Sequence, residues 1–328
     1  MKAGTIEGVA GFSFGLPPLD WDDRQKKLDG HFLQSRAWAI FQAALGRQVL
    51  WAQGEDWSWL GALRRSRGIK YFSLAYGPTV AGFLTEPLES LREAGRQLGA
   101  DFVRFEPVGG FDAAELQRHA RYFGQVQPQH TLVLDLDRSE AELRSGLAAS
   151  NRNRINTASK RGLQFSIEQT PASGQRFLNL LHATSERAGF NMYPDEYYQS
   201  MFDSLMPEGS VKLFLAQHED QLVAAAVGFD YNGTRYYAHA AADQQLNKQY
   251  KAAVPLVWYM ISDAFHQGYR AFDFWGVAPD DNPDHPWAGF TSFKKSFGGR
   301  VVAYAGTWDM PLKPLKYQLY RMAKRFLS

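Results

Sequence analysis

Two adjacent lysines set between phenylalanines are the residues of this sequence best suited to chemistry. The segment FTSFKKSFGG contains Phe293, Lys294, Lys295 and Phe297, followed by two glycines. Residues four apart share a helical face, so the two rings would lie together and the lysines would point elsewhere. A solvated lysine pair is the plain alternative. Because bulky anchors hold the segment after a long loop, we predict a fixed cation near a cleft.

A second basic segment, SNRNRINTASKRG (150–162), is predicted to end a helix. Arg154 and Arg161 are seven apart and would share a helical face. Cations at a helix C-terminus are stabilised by the helix dipole, which explains them without any function. Arginines in such a position also suit a bound phosphate. Both interpretations stay open.

The remaining polar candidates are weaker. His239 and Tyr237 lie on a predicted strand, where a single histidine is more often structural than catalytic. The acids and the histidine of the 280–285 loop resemble metal ligands, but their prolines favour a turn-rich loop, so we predict no metal. No motif of the common hydrolases or nucleotide-binding proteins occurs.

Composition restricts the class of protein further. The 328 residues favour two domains, and 36 Lys and Arg against 34 Asp and Glu exclude a strongly basic nucleic-acid coat, though not a local basic groove. The absence of cysteine excludes disulfides, thiolate nucleophiles and cysteine-ligated metals. Neither a secretion signal nor a long apolar run is evident, so we predict a cytoplasmic protein.

An internal repeat predicts the fold. Strand-like runs begin at Val49 and Val211, and each set leads into a helix and then a strand, DFVRF in the first half and RAFDFWG in the second. Asn232-Gly233 predicts a tight hairpin turn. A duplicated α+β domain follows, with a boundary near Asp137. Ser139 and Glu142 would cap a helix that runs to about Arg161.

Several segments, taken in order, resemble the Fem family of aminoacyl-tRNA-dependent peptidyltransferases that build peptidoglycan cross-bridges. They are HFLQSRAWAIFQAALG, RFEP, SNRNRINTASKRG, VPLVWYMISDAFHQGYRAFDFWGV and AGFTSFKKSFGG. The resemblance implies two tandem GNAT-like acyltransferase domains without a coiled-coil arm. Domain 1 would comprise 1–137 plus 305–328, with the last helix packing back, and would face the precursor. Domain 2 would comprise 138–304 and receive the tRNA acceptor end.

The resemblance also implies an activity. An amino acid would pass from aminoacyl-tRNA to the stem-peptide amine of a peptidoglycan precursor, either UDP-MurNAc-pentapeptide or lipid II. Because the donor ester is already activated, no cofactor is expected, and catalysis would depend on positioning and oxyanion stabilisation.

Residue roles carry over by position. Lys294 with Phe293 occupies the catalytic position of the family, and His239, beside Tyr237, falls where relatives often have tyrosine. Tyr197 matches a family tyrosine that lines the peptide-precursor site, and Trp275 is a further candidate substrate contact. Glu106 matches an acidic position considered a general base for the accepting amine; a structural role for its carboxylate is an equal alternative. Positions that hold precursor phosphates in relatives are Gln42 and Tyr193 here. The phosphate contacts would then come from Arg36 or Arg154, or the substrate differs.

The tail has two interpretations. Leu315, Leu319, Met322 and Phe326 form one helical stripe among basic residues. We predict that this stripe packs on the first domain; weak attachment to the inner face of an anionic membrane is the alternative.

Two other functions remain open. One is an N-acyltransferase with an acyl-CoA donor, although the QQLNKQYKAAVP turn has no glycine to cradle a pyrophosphate. The other is a non-catalytic binder of precursor or RNA.

Overall fold

The computed structural model describes residues 11–109, 111, 113–189 and 191–325. The first ten residues, which bear on the predicted lack of a secretion signal, and Phe326 of the tail stripe lie outside the described residues. Contacts divide the chain into two compact units, Met1–Gln129 with Ala303–Ser328, and His130–Val302.

The helices and strands follow one another in chain order. The first unit begins with β1 (Phe12–Phe14), α1 (Trp21–Lys27), α2 (Arg36–Ala44), β2 (Val49–Gln53), β3 (Trp57–Ser66), β4 (Ile69–Ser73), β5 (Thr79–Val80), α3 (Thr85–Gln97), β6 (Phe102–Phe105), α4 (Ala113–His119) and β7 (Arg121–Gly124). The second unit contains β8 (His130–Asp135), α5 (Glu140–Gly146), α6 (Ala149–Asn156), β9 (Leu163–Glu168), α7 (Gly174–Ala188), α8 (Asp195–Leu205), β10 (Val211–His218), β11 (Gln221–Tyr231), β12 (Thr234–Ala242), α9 (Gln244–Tyr250), α10 (Ala253–His266), β13 (Ala271–Gly276), α11 (Ala288–Lys295) and β14 (Arg300–Ala303). The chain then returns to the first unit with β15 (Thr307–Pro311) and α12 (Pro314–Arg325).

Each unit is built on one mixed sheet. The order is β1-β2-β3-β4-β6-β15-β7 in the first, with β5 beside β3, and β14-β8-β13-β12-β11-β10-β9 in the second. In both, a helix connects two neighbouring parallel strands: α3 between β4 and β6, and α10 between β12 and β13. Parallel neighbours require such a crossover. The prediction of a duplicated α+β fold is therefore confirmed.

Local turn chemistry also agrees with the sequence. Asn232 and Gly233 both have positive φ, 48° and 69°, between β11 and β12. Two consecutive positive φ values are those of the tight hairpin turn that Asn-Gly favours. The predicted hairpin turn is thus confirmed.

The boundary between the units lies at Gln129, earlier than the predicted Asp137. The reason is β8, which pairs antiparallel with β13 and places Leu134 opposite Phe272 in the second sheet. Both side chains belong to the core of that unit. Strand pairing over this distance is invisible to local patterns.

The predicted helix from Ser139 to Arg161 is wrong in its length. Its capping box is present, because the Ser139 side chain accepts from Glu142 N–H and the Glu142 carboxylate accepts from Ser139 N–H. However, α5 ends at Gly146, and extended backbone at Leu147 and Ala148 precedes α6. Leu147 is 3% exposed, so burying its side chain interrupts the helix.

A buried ion pair joins α12 to the first sheet. The Arg104 guanidinium donates to both carboxylate oxygens of Asp309, at 2.7 and 2.8 Å, and Tyr317 Oη donates to the same carboxylate at 3.0 Å. Tyr317 is 1% exposed. The helix therefore packs on the first sheet through its tyrosines, while Leu315, Leu319 and Met322 of the predicted stripe are exposed.

No helix of the described residues is long and apolar enough to span a membrane. The longest of them is α7, with 15 residues.

Candidate active site

The side chains of strand β13 alternate between the hydrophobic core and the opposite face of the sheet. Phe272 and Phe274 are fully buried against the core that contains α10. Successive strand residues point to opposite faces, so Asp273 and Trp275 leave the sheet on the other side. Asp273 is only 3% exposed. A carboxylate is therefore buried where the strand ends.

This carboxylate shapes the turn that follows. Trp275 has a positive φ of 63°, unusual for a bulky residue, and its N–H donates to Asp273 Oδ1 at 2.7 Å. The next carbonyl, that of Gly276, accepts from Lys294 Nζ at 2.6 Å. Asp273 thus holds the turn, and the turn holds the ammonium group.

Burial shifts the pKa values of both charged groups, Asp273 and Lys294, toward neutrality. Loss of hydration raises the pKa of Asp273 to about 7, against the opposing effects of the Trp275 N–H and the Lys294 charge. Burial lowers the pKa of Lys294 to about 8, and the Asp273 charge partly offsets this. Perturbed groups of this kind cluster at functional sites.

Helix α11 holds Lys294 in place through phenylalanines that pack against the core. The rings of Phe293 and Phe297 lie 5.4 Å apart, with Phe297 fully buried and Phe293 packed against the same core. Lys295 instead forms an ion pair with exposed Asp281. The two neighbouring lysines therefore have different environments: one is bound to the half-buried turn after β13 and the other is paired with an exposed carboxylate.

A β-bulge separates two of the candidate catalytic residues. Val227 pairs with His239 and Gly228 with Tyr237, so β12 has one extra residue at Ala238. An extra residue reverses the alternation of side chains. Tyr237 accordingly lies near Phe272 and Phe274 on the α10 side, while His239 is on the opposite face.

His239 belongs to an aromatic cluster on the face of Trp275. Its ring lies 5.4 Å from Tyr198 and 6.3 Å from Phe229, which in turn lies 6.2 Å from Trp275. The full cluster comprises Tyr193, Tyr197, Tyr198, Phe229, Tyr236, His239 and Trp275. Burial lowers the pKa of His239 to about 4, so its imidazole is neutral at physiological pH.

Tyr193 and Tyr197 form the outer end of this aromatic cluster. Their rings stack 4.2 Å apart, and Tyr193 is 55% exposed. Exposed stacked rings offer a flat apolar surface with polar tips to a ligand.

The basic segment is tied to α11 by a residue that the sequence did not single out. Asn151, on α6, is 2% exposed and donates to Ser296 Oγ at 2.7 Å. Arg154 follows one turn later on the same helix, partly buried. Arg161 lies beyond α6 in a short 3-10 turn and donates to Tyr250 O. Arg154 and Arg161 therefore do not share a helical face as predicted.

The 280–285 loop uses its polar groups to form turns. Asp280 accepts from Asn282 N–H, Asn282 accepts from Asp284 N–H, and His285 Nδ1 accepts from Trp287 N–H. Among the residues that the structure describes, no group of His, Cys, Asp and Glu side chains could hold a metal ion.

In the first unit, Glu106 is a buried carboxylate at the end of β6. It is 4% exposed and accepts from Thr307 Oγ1 at 2.6 Å, Gln127 N–H at 2.8 Å and Tyr76 N–H at 3.3 Å. Burial raises its pKa, and these three donors oppose the rise. The contacts favour the structural alternative for this residue.

We expect Glu106→Gln to destabilise the protein by about 1–3 kcal/mol, because the amide NH₂ would face buried donors. Urea unfolding would measure the loss, with exposed Glu89→Gln as the control. An unchanged unfolding free energy together with a large loss of activity would instead assign Glu106 to substrate.

The predicted phosphate positions of the first unit lie on α2. Arg36 Nε donates to Pro17 O at 3.2 Å. Gln42 is 3% exposed; its Oε1 accepts from Arg47, and within the described part of the chain its Nε2 has no hydrogen-bond partner. The two side chains are six positions apart and leave the helix in different directions.

The second unit thus combines a half-buried ammonium near a buried carboxylate with an aromatic cluster, on one of two repeated mixed sheets. This defines an α+β protein of the tandem GNAT-like class. The chain belongs to the FemAB family, whose model matches residues 113–218 and 208–325.

Relatives and a solved structure agree with this assignment. A lipid II:glycine glycyltransferase of Staphylococcus aureus is 29% identical over 140 residues, 42% of this chain and 32% of that protein. The protein of the same name in Staphylococcus epidermidis is 31% identical over 106 residues, 32% and 25% of the two chains. The crystal structure of FemX matches the fold with a TM-score of 0.81 and 18% identity, covering 94% of this chain and 99% of that chain. The matches to the two glycyltransferases thus span about a quarter to a third of their length.

Proposed function

We propose that this protein is an aminoacyltransferase that forms a peptide bond on a peptidoglycan precursor. The donor is aminoacyl-tRNA, and the acceptor is the side-chain amine of the stem peptide. Membership of the FemAB family and similarity to lipid II:glycine glycyltransferases support the substrate class. The observation that carries the proposal is the Lys294 ammonium, held by the Gly276 carbonyl beside buried Asp273.

The chemistry requires little more than this arrangement. The acceptor amine attacks the ester carbonyl, and the C–O bond to the ribose then breaks with proton transfer to the leaving oxygen. Lys294 stabilises the oxyanion between these steps, and a prepositioned cation in a poorly hydrated site does so strongly. Neutral His239 and the aromatic cluster offer stacking surfaces for the tRNA end, since every base has a π-face.

The two units would divide the substrates. We assign the precursor to the first unit, where Arg36 on α2 would contact its phosphates, and the acceptor end to the second. Arg154 on α6 supports the latter assignment, because α6 is tied to α11 through Asn151. An arginine binds phosphate through several donors.

A turnover assay tests the proposal. The purified chain, charged tRNA and lipid II or UDP-MurNAc-pentapeptide should yield a precursor extended by one or more residues, detected by mass spectrometry. Uncharged tRNA is the control. Absence of product with every charged tRNA and both acceptors would refute the assignment.

We expect no saturable binding of acetyl-CoA. Asp243 accepts from Gln245 and Leu246 N–H at the start of α9, and Asn247 Oδ1 accepts from Ala253 N–H at the start of α10. These contacts occupy backbone donors that a pyrophosphate would need. Isothermal calorimetry checks this prediction; micromolar affinity would favour the acyl-CoA alternative.

A further inference from the structure

A cavity of about 740 Å³ opens in the first unit between the β3–β4 turn and α12. Among the described residues that line it, four are cations and none is an acid: Arg67, Arg104, Lys316 and Lys324. The rings of Tyr71 and Tyr320 complete the walls. None of these residues belongs to the site proposed for transfer.

Two of the four cations form ion pairs with carboxylates of the first unit. Arg104 pairs with Asp309, and Lys316 with Asp101 at 2.9 Å. For Arg67 and Lys324, the described residues place no carboxylate within ion-pair distance. Burial lowers the pKa of Lys324, and the charges of Arg104 and Arg321 lower it further, while the Asp309 charge partly opposes this. The cavity therefore carries uncompensated positive charge, which an anion would relieve.

Beside this cavity, α12 exposes its apolar stripe. Leu315 is 78% exposed, Leu319 62% and Met322 50%, whereas Tyr317 on the opposite side of the helix is buried. Leu319 also lines the cavity. The helix carries Lys316, Arg321, Lys324 and Arg325 and no acid. An apolar stripe flanked by cations is typical of a helix lying in a membrane interface.

We propose that α12 docks on an anionic membrane surface, with its leucine stripe in the interface and a lipid phosphate in the adjoining cavity. The apolar stripe and the cations of the cavity together favour an anionic membrane as the ligand. A free phosphate would use the cations but not the stripe, and an apolar protein partner would use the stripe but leave the cations unmatched. An anionic bilayer uses both, because its surface presents phosphates above hydrocarbon.

Vesicle sedimentation tests the docking. The full chain is mixed with vesicles of phosphatidylglycerol and phosphatidylcholine, or of phosphatidylcholine alone, at low and at physiological salt. We expect binding to the anionic vesicles that weakens with salt, because exposed charges are screened over about 8 Å at physiological ionic strength.

Two sets of variants separate charge from apolar contact. Arg67→Gln/Lys324→Gln should weaken binding about 25-fold, at roughly fivefold for each cation near an anionic surface. Leu315→Asn/Leu319→Asn should weaken it about tenfold or more. The matched controls are Lys27→Gln/Arg96→Gln and Phe83→Asn, which change exposed residues elsewhere in the first unit and should bind as wild type.

Three results would overturn the docking: equal binding to neutral and anionic vesicles, wild-type binding by both double variants, or binding of inorganic phosphate without vesicle binding. Unchanged thermal midpoints of the variants establish that folding is intact. Because the vesicles contain no precursor and no tRNA, this test is independent of the transfer assay.

Discussion

Lys294→Met should lower kcat/KM for amino-acid transfer by about 10²-fold or more, the usual scale for removal of an oxyanion-stabilising group. Methionine retains most of the apolar stem and removes only the ammonium. Phe293 and Phe297 anchor the helix independently of this group. A fall in kcat without a matching rise in KM would indicate that the lost interaction is made in the transition state.

The neighbouring lysine is the matched control. Lys295→Met removes the same charge one position later, from a side chain paired with exposed Asp281. Exposed ion pairs contribute little, so activity and stability should stay close to wild type. Equal losses in both variants would mean that general positive charge, and not the held ammonium, supports transfer.

Asp273→Asn should lower transfer by about 5- to 50-fold at pH 8, the effect of lowering the Lys294 pKa by roughly one to two pH units, and much less at pH 6. The Asp273 charge raises the pKa of Lys294, so removing it lowers that pKa below 8 and leaves less of the ammonium form at pH 8. Since the pKa of Asp273 is about 7, its carboxylate is ionised at pH 8 and already mostly protonated at pH 6. Asparagine resembles the protonated form, so wild type and variant should converge in acid.

The pH dependence distinguishes this role from simple loss of structure. Wild-type activity should decline as the pH rises through about 8, where Lys294 loses its proton, and the decline should begin at lower pH in the variant. Stopped-flow or steady-state pH profiles measure both. A loss of the same size at pH 6 and pH 8 would mean that Asp273 only stabilises the Trp275 turn.

Much of the architecture could be predicted because its signals are local. The repeat of hairpin, helix and strand, the Asn232-Gly233 turn and the Ser139–Glu142 capping box all depend on neighbouring residues. The anchoring of Lys294 by phenylalanines four positions apart is likewise a property of one helical turn. Asp273 had a weak signal, a lone acid between buried phenylalanines in RAFDFWG.

Other features depend on contacts between distant segments. The β8–β13 pairing moved the boundary of the units, and burial of Leu147 divided a continuous helical pattern. The bulge at Ala238 placed Tyr237 and His239 on opposite faces, although neighbouring residues gave no sign of it. A bulge arises from strand register, which only the partner strand defines.

By itself the sequence determined the α+β class, the repeat, the family resemblance and the candidate ammonium, because periodicity and turn chemistry are written in short segments. Only the tertiary structure decided which groups share an environment. It placed Asp273, the Gly276 carbonyl and Lys294 at one turn, and it left the leucines of α12 exposed beside unpaired cations. Desolvation and charge depend on which groups surround an atom in space, and spacing along the chain does not record this.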